Sequence, residues 1–117
     1  MKRFVIALLF APTLATAAVQ PWEQEVTHLI SYVQSSGCQF KRNEVWHDNA
    51  AAVELLNRKY RSLSRSGMAS SAEDFIRAAA SQSRVTGLTY MVRCQDGNEQ
   101  PSALWLGAEL QRYRATH

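Results

Sequence analysis

The pair of cysteines constrains this chain more than any other feature of its sequence. Cys38 and Cys94 are the only two in 117 residues, and neither lies in a C-x-x-C motif, the arrangement typical of redox thiols. In an oxidising compartment we expect them to form a disulfide, in preference to a reactive thiol or a metal site. Closing a loop of about 57 residues stabilises a fold by roughly 4 kcal/mol in the chain-entropy model, which matters in a small domain.

The first 17 residues indicate such a compartment. They begin with two basic residues, continue with an apolar run over residues 4–11, and end with small residues at Ala15 and Ala17. This is the layout of a secretory signal peptide with an A-x-A cleavage site. We expect cleavage after Ala17 and a periplasmic mature chain. A helix of eight apolar residues is about 12 Å long, too short for a bilayer core of about 30 Å, so we expect no stable membrane insertion.

Composition and charge narrow the class of protein. The full chain is 46% apolar and 20% charged, which fits one ordinary globular domain rather than collagen, low-complexity disorder or a multi-domain machine. The net charge of the full chain is +3, but Lys2 and Arg3 lie in the signal peptide. The remaining 11 basic residues against 10 acidic ones leave +1, too little for a nucleic-acid-binding protein.

The apolar spacing predicts four helices. The first opens at Pro21 and is closed by Gly37, the second is capped by Asp48, and the third starts at Ser70, three residues before Glu73 as in a capping box. The last begins near residues 100–102. Their predicted buried stripes contain Trp22, Val26, Leu29, Ile30 and Val33, then Val53, Leu56, Tyr60 and Leu63, then Phe75, Ile76 and Ala79, and finally Leu106, Leu110 and Tyr113.

Two segments favour strands instead. Residues 38–47 predict a short hairpin that turns at residues 41–44, and residues 88–94 alternate, with Leu88, Tyr90, Val92 and Cys94 on one face. The order α, ββ, α, α, β, α predicts a small α+β domain, in which a three-stranded antiparallel sheet is covered by about four helices. The disulfide would join the first strand to the last.

No set of residues completes a known catalytic or metal-binding motif. The three histidines have no ligand spacing, and neither a G-x-S-x-G nor an S-x-x-K motif occurs. We therefore expect no metal and no cofactor. A basic run over residues 57–61, extended by Arg65, suits the C-terminal end of a helix in water, although it also fits contact with an anionic lipid or an acidic protein.

Two polar segments are the candidate site. In hydroxyl-rich loops the side chains usually form hydrogen bonds with the backbone of the same loop, and this is the favoured interpretation of residues 81–87. The alternative, functional interpretation is that the loop forms a small pocket for a sugar, a peptide end or an anion. At the hairpin tip, the guanidinium of Arg42 could bind a ligand carboxylate or phosphate, or it could donate to the carbonyl oxygens of that loop. We favour the bonds to the loop. The candidate polar site comprises Arg42, Asn43, Ser81, Ser83, Thr86 and Gly87.

These residues also carry a family resemblance. The chain resembles the pattern of the YfeK-like family of small exported bacterial proteins, a domain of unknown function, in four segments. These are Phe40 to Asn43, Ala52-Val53 with Leu56 and Lys59, residues 71–76, and residues 80–83 with Thr86-Gly87 and Tyr90. The resemblance covers about residues 29–110. It implies a periplasmic location and one compact domain, and it implies no activity.

The chain departs from that pattern at four positions. Glu44 stands where the pattern has glycine, Ala51 and Leu55 stand where it has Glu and His on the second helix, and Arg84 replaces a serine. If the family has a polar working site at those positions, this member has lost part of it, which disfavours an enzyme.

Three hypotheses follow. The first is a non-catalytic binding or interaction module of the cell envelope with a protein partner, an inhibitor or immunity protein being one concrete form. The second is a small envelope hydrolase or ligand-binding enzyme that uses Arg42, Asn43, Ser83 and Thr86, which requires these side chains to converge on an open cleft. The third is a purely structural protein, favoured if Trp46 and Trp105 both lie in the core and leave no exposed patch.

Overall fold

A computed structural model describes residues 21–117 of the chain. The predicted signal peptide and its cleavage site lie outside the described residues. The elements in chain order are α1 (Pro21–Ser35), β1 (Gln39–Arg42), β2 (Val45–His47), α2 (Asn49–Ser66), α3 (Ala72–Ala79), β3 (Met91–Arg93), β4 (Glu99–Pro101) and α4 (Ser102–Thr116).

The fold class α+β is confirmed, with four helices and one disulfide among the described residues. The sheet, however, has four antiparallel strands in the order β2-β1-β3-β4, not three. The fourth strand was missed because Glu99, Gln100 and Pro101 bury no apolar side chain and show no alternation. Pro101 has no N–H to give to a ladder, and accordingly it lies in an edge strand.

The helix boundaries agree with the sequence except at α3. Asp48 caps α2 by accepting a hydrogen bond from Ala51 N at 2.8 Å. At α3 the capping residue is Ser71 rather than Ser70, since the Ser71 hydroxyl accepts from Asp74 N at 3.0 Å and Asp74 in turn accepts from Ser70 N at 3.1 Å. The helix cap therefore lies one residue later than predicted, and the reciprocal bond of Asp74 goes to the N–H before the capping residue rather than to that of the capping residue.

The core lies between the sheet and the helices. One face of the sheet carries Val92, which is 1% exposed, and Phe40, whose ring meets Trp105 edge to face at 5.6 Å. The fully buried side chains of the helices confirm most of the predicted stripes: Val26, Leu29 and Val33 in α1, Phe75 in α3, and Leu106 and Leu110 in α4. Only Leu56 of the predicted α2 stripe is buried, with Val53, Tyr60 and Leu63 partly so.

The Cys38–Cys94 disulfide confirms the predicted pairing. Cys38 directly precedes β1 and Cys94 directly follows β3, so the bond fixes one end of the two central strands. It does not reach the last strand, which is β4. The predicted third strand is also shorter than expected: it starts at Met91, and Leu88 is 42% exposed rather than on the buried face.

Candidate functional site

The hairpin tip and the hydroxyl-rich loop contact each other, but not through the arginine. Asn43 and Glu44 form the two-residue turn between β1 and β2, both with positive φ. Asn43 Oδ1 accepts a hydrogen bond from the Thr86 hydroxyl at 2.6 Å, and that hydroxyl accepts from Leu88 N at 3.2 Å. The predicted bonds from Arg42 to loop carbonyls are not present among the described residues.

The loop itself is closed by its own side chains and backbone. Ser83, 4% exposed, accepts from the N–H groups of Val85 and Thr86, and its carbonyl accepts from Gly87 N at 2.9 Å. Gly87 has a φ of 74°, a conformation that favours glycine. The Ser81 hydroxyl donates to Ile76 O at 2.9 Å, at the end of α3. These groups are satisfied without a ligand, as the favoured interpretation of the loop holds.

Arg42 instead lines a cavity between the sheet and the helices. The cavity volume is about 60 Å³, and its walls come from six elements and the segments beside them. Most of the surface is apolar. The lining residues are Val33, Phe40, Lys41, Arg42, His47, Ala51, Ala52, Leu55, Leu56, Ala79, Ala80, Tyr90, Ser102 and Leu106.

The register of the sheet sets the polar groups of this cavity in one row. Lys41 lies opposite Met91, and Met91 lies opposite Pro101. The next position along each strand therefore places Arg42, Tyr90 and Ser102 side by side, and Ser102 N donates to Tyr90 O at 2.9 Å. Since neighbouring strands lie about 4.8 Å apart, Arg42 and Ser102 are separated by roughly 10 Å at the backbone.

Ser102 has the one buried side-chain oxygen or nitrogen without a hydrogen-bond partner in the described part of the chain. The residue is 5% exposed and lines the cavity. It is also the first residue of α4, whose capping position, Pro101, makes no side-chain hydrogen bond. A buried hydroxyl without a partner carries a free-energy penalty, because it has lost its hydrogen bonds to water.

Lys59 lies beside the same row. Its ammonium donates to the Tyr90 hydroxyl at 2.9 Å and to Ala79 O at 3.3 Å, and it lies 4.8 Å from the centre of the Tyr90 ring. Both hydrogen-bond partners are neutral, and no carboxylate pairs with Lys59 within residues 21–117. The basic run on α2 is therefore not wholly turned to water: Arg58 pairs with Glu54 on the exposed side, whereas Lys59 bonds to Ala79 and Tyr90, which line the cavity.

Sequence reasoning missed this cavity because its walls are far apart in the chain. The signal that was available is the occurrence of small residues in pairs, Ala51-Ala52 on α2 and Ala79-Ala80 at the end of α3, where facing helices would otherwise fill the space. Two of the departures from the YfeK-like pattern, Ala51 and Leu55, also line it. Those positions therefore add apolar surface to the cavity in this chain.

A second polar cluster joins α1 to α4. His28 Nε2 and Glu109 Oε2 are 2.7 Å apart, and Arg112 donates to Glu109 Oε1 at 2.8 Å. Burial raises the pKa of Glu109, but the hydrogen bonds with His28 and Arg112 outweigh that effect and hold the pKa below its ordinary value. The His28 ring stacks on Tyr113 at 4.3 Å. Residues 21–117 contain no group of three or more His, Cys, Asp or Glu side chains placed to hold a metal ion.

The two tryptophans of interest lie on opposite sides of the sheet. Trp105 is 8% exposed and stacks on Tyr32 at 4.6 Å. Trp46 is only partly buried, and it lies between the guanidinium of Arg93 at 4.2 Å and the ammonium of Lys41 at 5.5 Å. One aromatic side chain thus remains available on the sheet face away from the core.

None of the helices within residues 21–117 has the length and apolar character needed to cross a membrane. Comparison with curated proteins and with solved structures found no match. A comparison with family models did find one, described as a family of unknown function, DUF5329, and it extends over residues 20–114. Because the match covers well over half of the chain, the protein belongs to the DUF5329 family of unknown function.

Proposed function

We propose that the chain is an exported, non-catalytic binding module of the cell envelope, and that it binds through the cavity beneath Arg42. The observation that carries this proposal is the cavity itself, which is largely apolar and has a few polar groups at defined places. This combination is typical of sites for small molecules, in which apolar walls supply affinity and sparse polar groups supply orientation.

The arrangement of the candidate polar residues supports binding over hydrolysis. Of the four residues in the hydrolase hypothesis, only Arg42 lines the cavity. Asn43, Ser83 and Thr86 are engaged in the turn and the loop. A serine that accepts two backbone N–H bonds at 4% exposure has neither a neighbouring base nor access to a substrate.

A titration with 1-hexanol, a neutral apolar probe, tests the binding site. We expect methyl NMR signals of Leu55 and Leu106 to shift in a saturable way. Ala51→Phe places a ring at the cavity wall and should abolish the shifts, whereas Ala50→Phe, on the same helix but not in the lining, should preserve them. Equal shifts in both variants, or none in the unaltered protein, would contradict the proposal.

The export part of the proposal needs a separate test. We expect the full chain, expressed in a Gram-negative host, to appear in the periplasmic fraction with a mass that begins at Ala18 and includes one disulfide. A cytoplasmic product with an intact leader would overturn it. The kinship with the YfeK-like family belongs to the same proposal, because the resemblance is to exported proteins.

A protein partner is a second candidate, favoured by the Trp46 side chain on the outer face of the sheet, between Lys41 and Arg93. Tryptophan is among the residues that contribute most to protein interfaces, and Trp46 is partly exposed. We expect cross-linking to a defined envelope protein to be lost in Trp46→Ala and retained in Leu104→Ala, which removes an exposed side chain of α4. Equal loss or equal retention would exclude this face as the interface.

A further inference from the structure

The cavity has an unbalanced charge. No aspartate or glutamate lines it, whereas Arg42 and His47 do, together with Lys41, whose ammonium lies beside the Trp46 ring on the outer face of the sheet. Lys41 has a distant carboxylate, Glu44, at 3.9 Å. Arg42 has neither an ion pair nor a side-chain hydrogen bond within residues 21–117. An arginine at the wall of an apolar cavity with no carboxylate of its own is suited to an anionic ligand.

The Ser102 end of the cavity calls for a different group. The hydroxyl lacks a partner and is nearly buried, and a hydroxyl can both donate and accept. A full negative charge placed that deep would be costly without a countercharge, whereas a neutral hydroxyl or carbonyl would not. The ligand that satisfies both ends is therefore charged at the Arg42 end and neutral but polar at the Ser102 end.

The cavity also limits the size of the part of the ligand that lies between Arg42 and Ser102. A volume of about 60 Å³ accommodates about four to six water-sized groups at about 10–15 Å³ each. The lining between the two ends is mostly apolar and includes alanines, leucines, Val33, Phe40 and the Tyr90 ring. A short, unbranched hydrocarbon segment fits this surface, since Arg42 and Ser102 lie only two inter-strand spacings apart, about 10 Å at the backbone.

We infer that the cavity binds a small organic carboxylate with a short apolar body and a neutral polar group at its far end, the carboxylate on Arg42 and the polar group on Ser102. This inference rests on the proposed function, since it names the ligand class of the same cavity. Arg42 supplies a planar pair of donors that matches a carboxylate. Lys59 and its bond to Tyr90 hold the intervening ring in place and add positive potential.

The test compares three probes of the same chain length on the oxidised full-length protein: 6-hydroxyhexanoate, hexanoate and 1,6-hexanediol. Affinities are measured by NMR titration of the cavity residues. We expect 6-hydroxyhexanoate to bind at least tenfold more tightly than the diol, because only the acid engages Arg42. Arg42→Gln should bring the two within about twofold, while Arg58→Gln, a matched loss of charge on the exposed side of α2, should leave the preference intact.

Ser102→Ala tests the other end. We expect the hydroxy acid to bind severalfold more tightly than hexanoate in the unaltered protein and equally in this variant. If all three probes bind with equal affinity, the cavity binds small molecules as proposed, but the ligand class inferred here is wrong. If hexanoate matches the hydroxy acid in the unaltered protein, the role given to Ser102 is wrong. If no probe shifts the cavity signals, both the inference and the proposed function fail.

Discussion

Replacing Glu44 by glycine should stabilise the protein, because Glu44 occupies a backbone conformation that glycine tolerates better. It is the second residue of the two-residue turn between β1 and β2, with a φ of 68°, and Asn43 before it has a φ of 51°. A tight hairpin turn of this kind requires positive φ at both positions, and the favoured pair is Asn-Gly. Asn43 meets the requirement, whereas glutamate has no special tolerance for it.

The expected magnitude follows from three contributions. A left-handed conformation costs a non-glycine residue about 1–2 kcal/mol, and glycine avoids that cost. Glycine loses more backbone entropy on folding, which returns about 0.5–1 kcal/mol. The Lys41–Glu44 ion pair, 3.9 Å long with the glutamate side chain 71% exposed, contributes at most a few tenths. The net gain in the free energy of unfolding is about 0.5 kcal/mol, or a rise in Tm of about 2–4 °C.

Thermal unfolding at neutral pH measures the effect, and Glu44→Ala is the matched control. Alanine removes the same carboxylate but keeps the Cβ that makes positive φ unfavourable. We expect Glu44→Ala to leave Tm unchanged or to lower it slightly. If alanine stabilises as much as glycine does, the cost at this position arises from the carboxylate, and the backbone argument is wrong. A fall in Tm for glycine would refute it as well.

Three further predictions concern stability. Ser102→Ala removes an unpartnered buried hydroxyl and should stabilise the ligand-free protein by about 1 kcal/mol in urea unfolding. Ser83→Ala removes an equally buried hydroxyl that accepts two N–H bonds, and it should destabilise the protein by about 1–3 kcal/mol. A change of the same sign in both variants would contradict this reasoning. Reducing the Cys38–Cys94 disulfide should cost roughly 4 kcal/mol, and a loss below about 1 kcal/mol would show that the bond is not a main constraint. Hydrogen bonds from Arg77 and from Ser70 N lower the pKa of Asp74 to about 2. The stability that this carboxylate contributes is therefore complete above its ordinary pKa near 3.8 and is lost as the pH falls toward 2. The Tm of Asp74→Asn should fall less between pH 4.5 and 2 than that of the unaltered protein, and parallel curves of Tm against pH would contradict this assignment.

The parts of the fold that the sequence predicted are those specified by local patterns. The period of Val26, Leu29, Ile30 and Val33 identifies both α1 and the side it buries, because one apolar face suffices to place a helix against a core. Asp48 marks the start of α2 by the chemistry of its cap. The disulfide followed from the cysteine count together with the expected compartment.

The parts that could not be predicted depend on distant pairing. Strand β4 contains Glu99, Gln100 and Pro101, which carry no strand pattern, and it forms because β3 offers a free edge beside them. Capping at Ser71 instead of Ser70 reflects a choice between two adjacent serines that spacing alone does not resolve.

The candidate site shows the same division. The sequence analysis favoured a contact between Arg42 and the hydroxyl-rich loop, whereas in the structure the side chain of the hairpin tip that bonds to this loop is Asn43. The longer side chain was the more conspicuous candidate, yet the turn directs Asn43 toward Thr86 and leaves Arg42, one residue earlier in β1, on the cavity side of the sheet. Arg42 is the last residue of β1 and shares the face of Phe40, whereas Asn43 lies in the turn, so a shift by one residue exchanges a cavity wall for a loop contact.

Stability and binding make opposing demands at Ser102. A domain of this size has a small stability margin, and part of it is supplied by a disulfide. An unpartnered hydroxyl at 5% exposure reduces that margin, and alanine would remove the penalty without changing the shape of the wall. If the hydroxyl serves only the fold, Ser102→Ala should improve stability and leave binding unchanged. If the hydroxyl bonds to a ligand, the same substitution should improve the stability of the empty protein and weaken the binding of the hydroxy acid. The reason is that the free-energy penalty of the unpartnered hydroxyl is relieved only when a ligand fills the cavity.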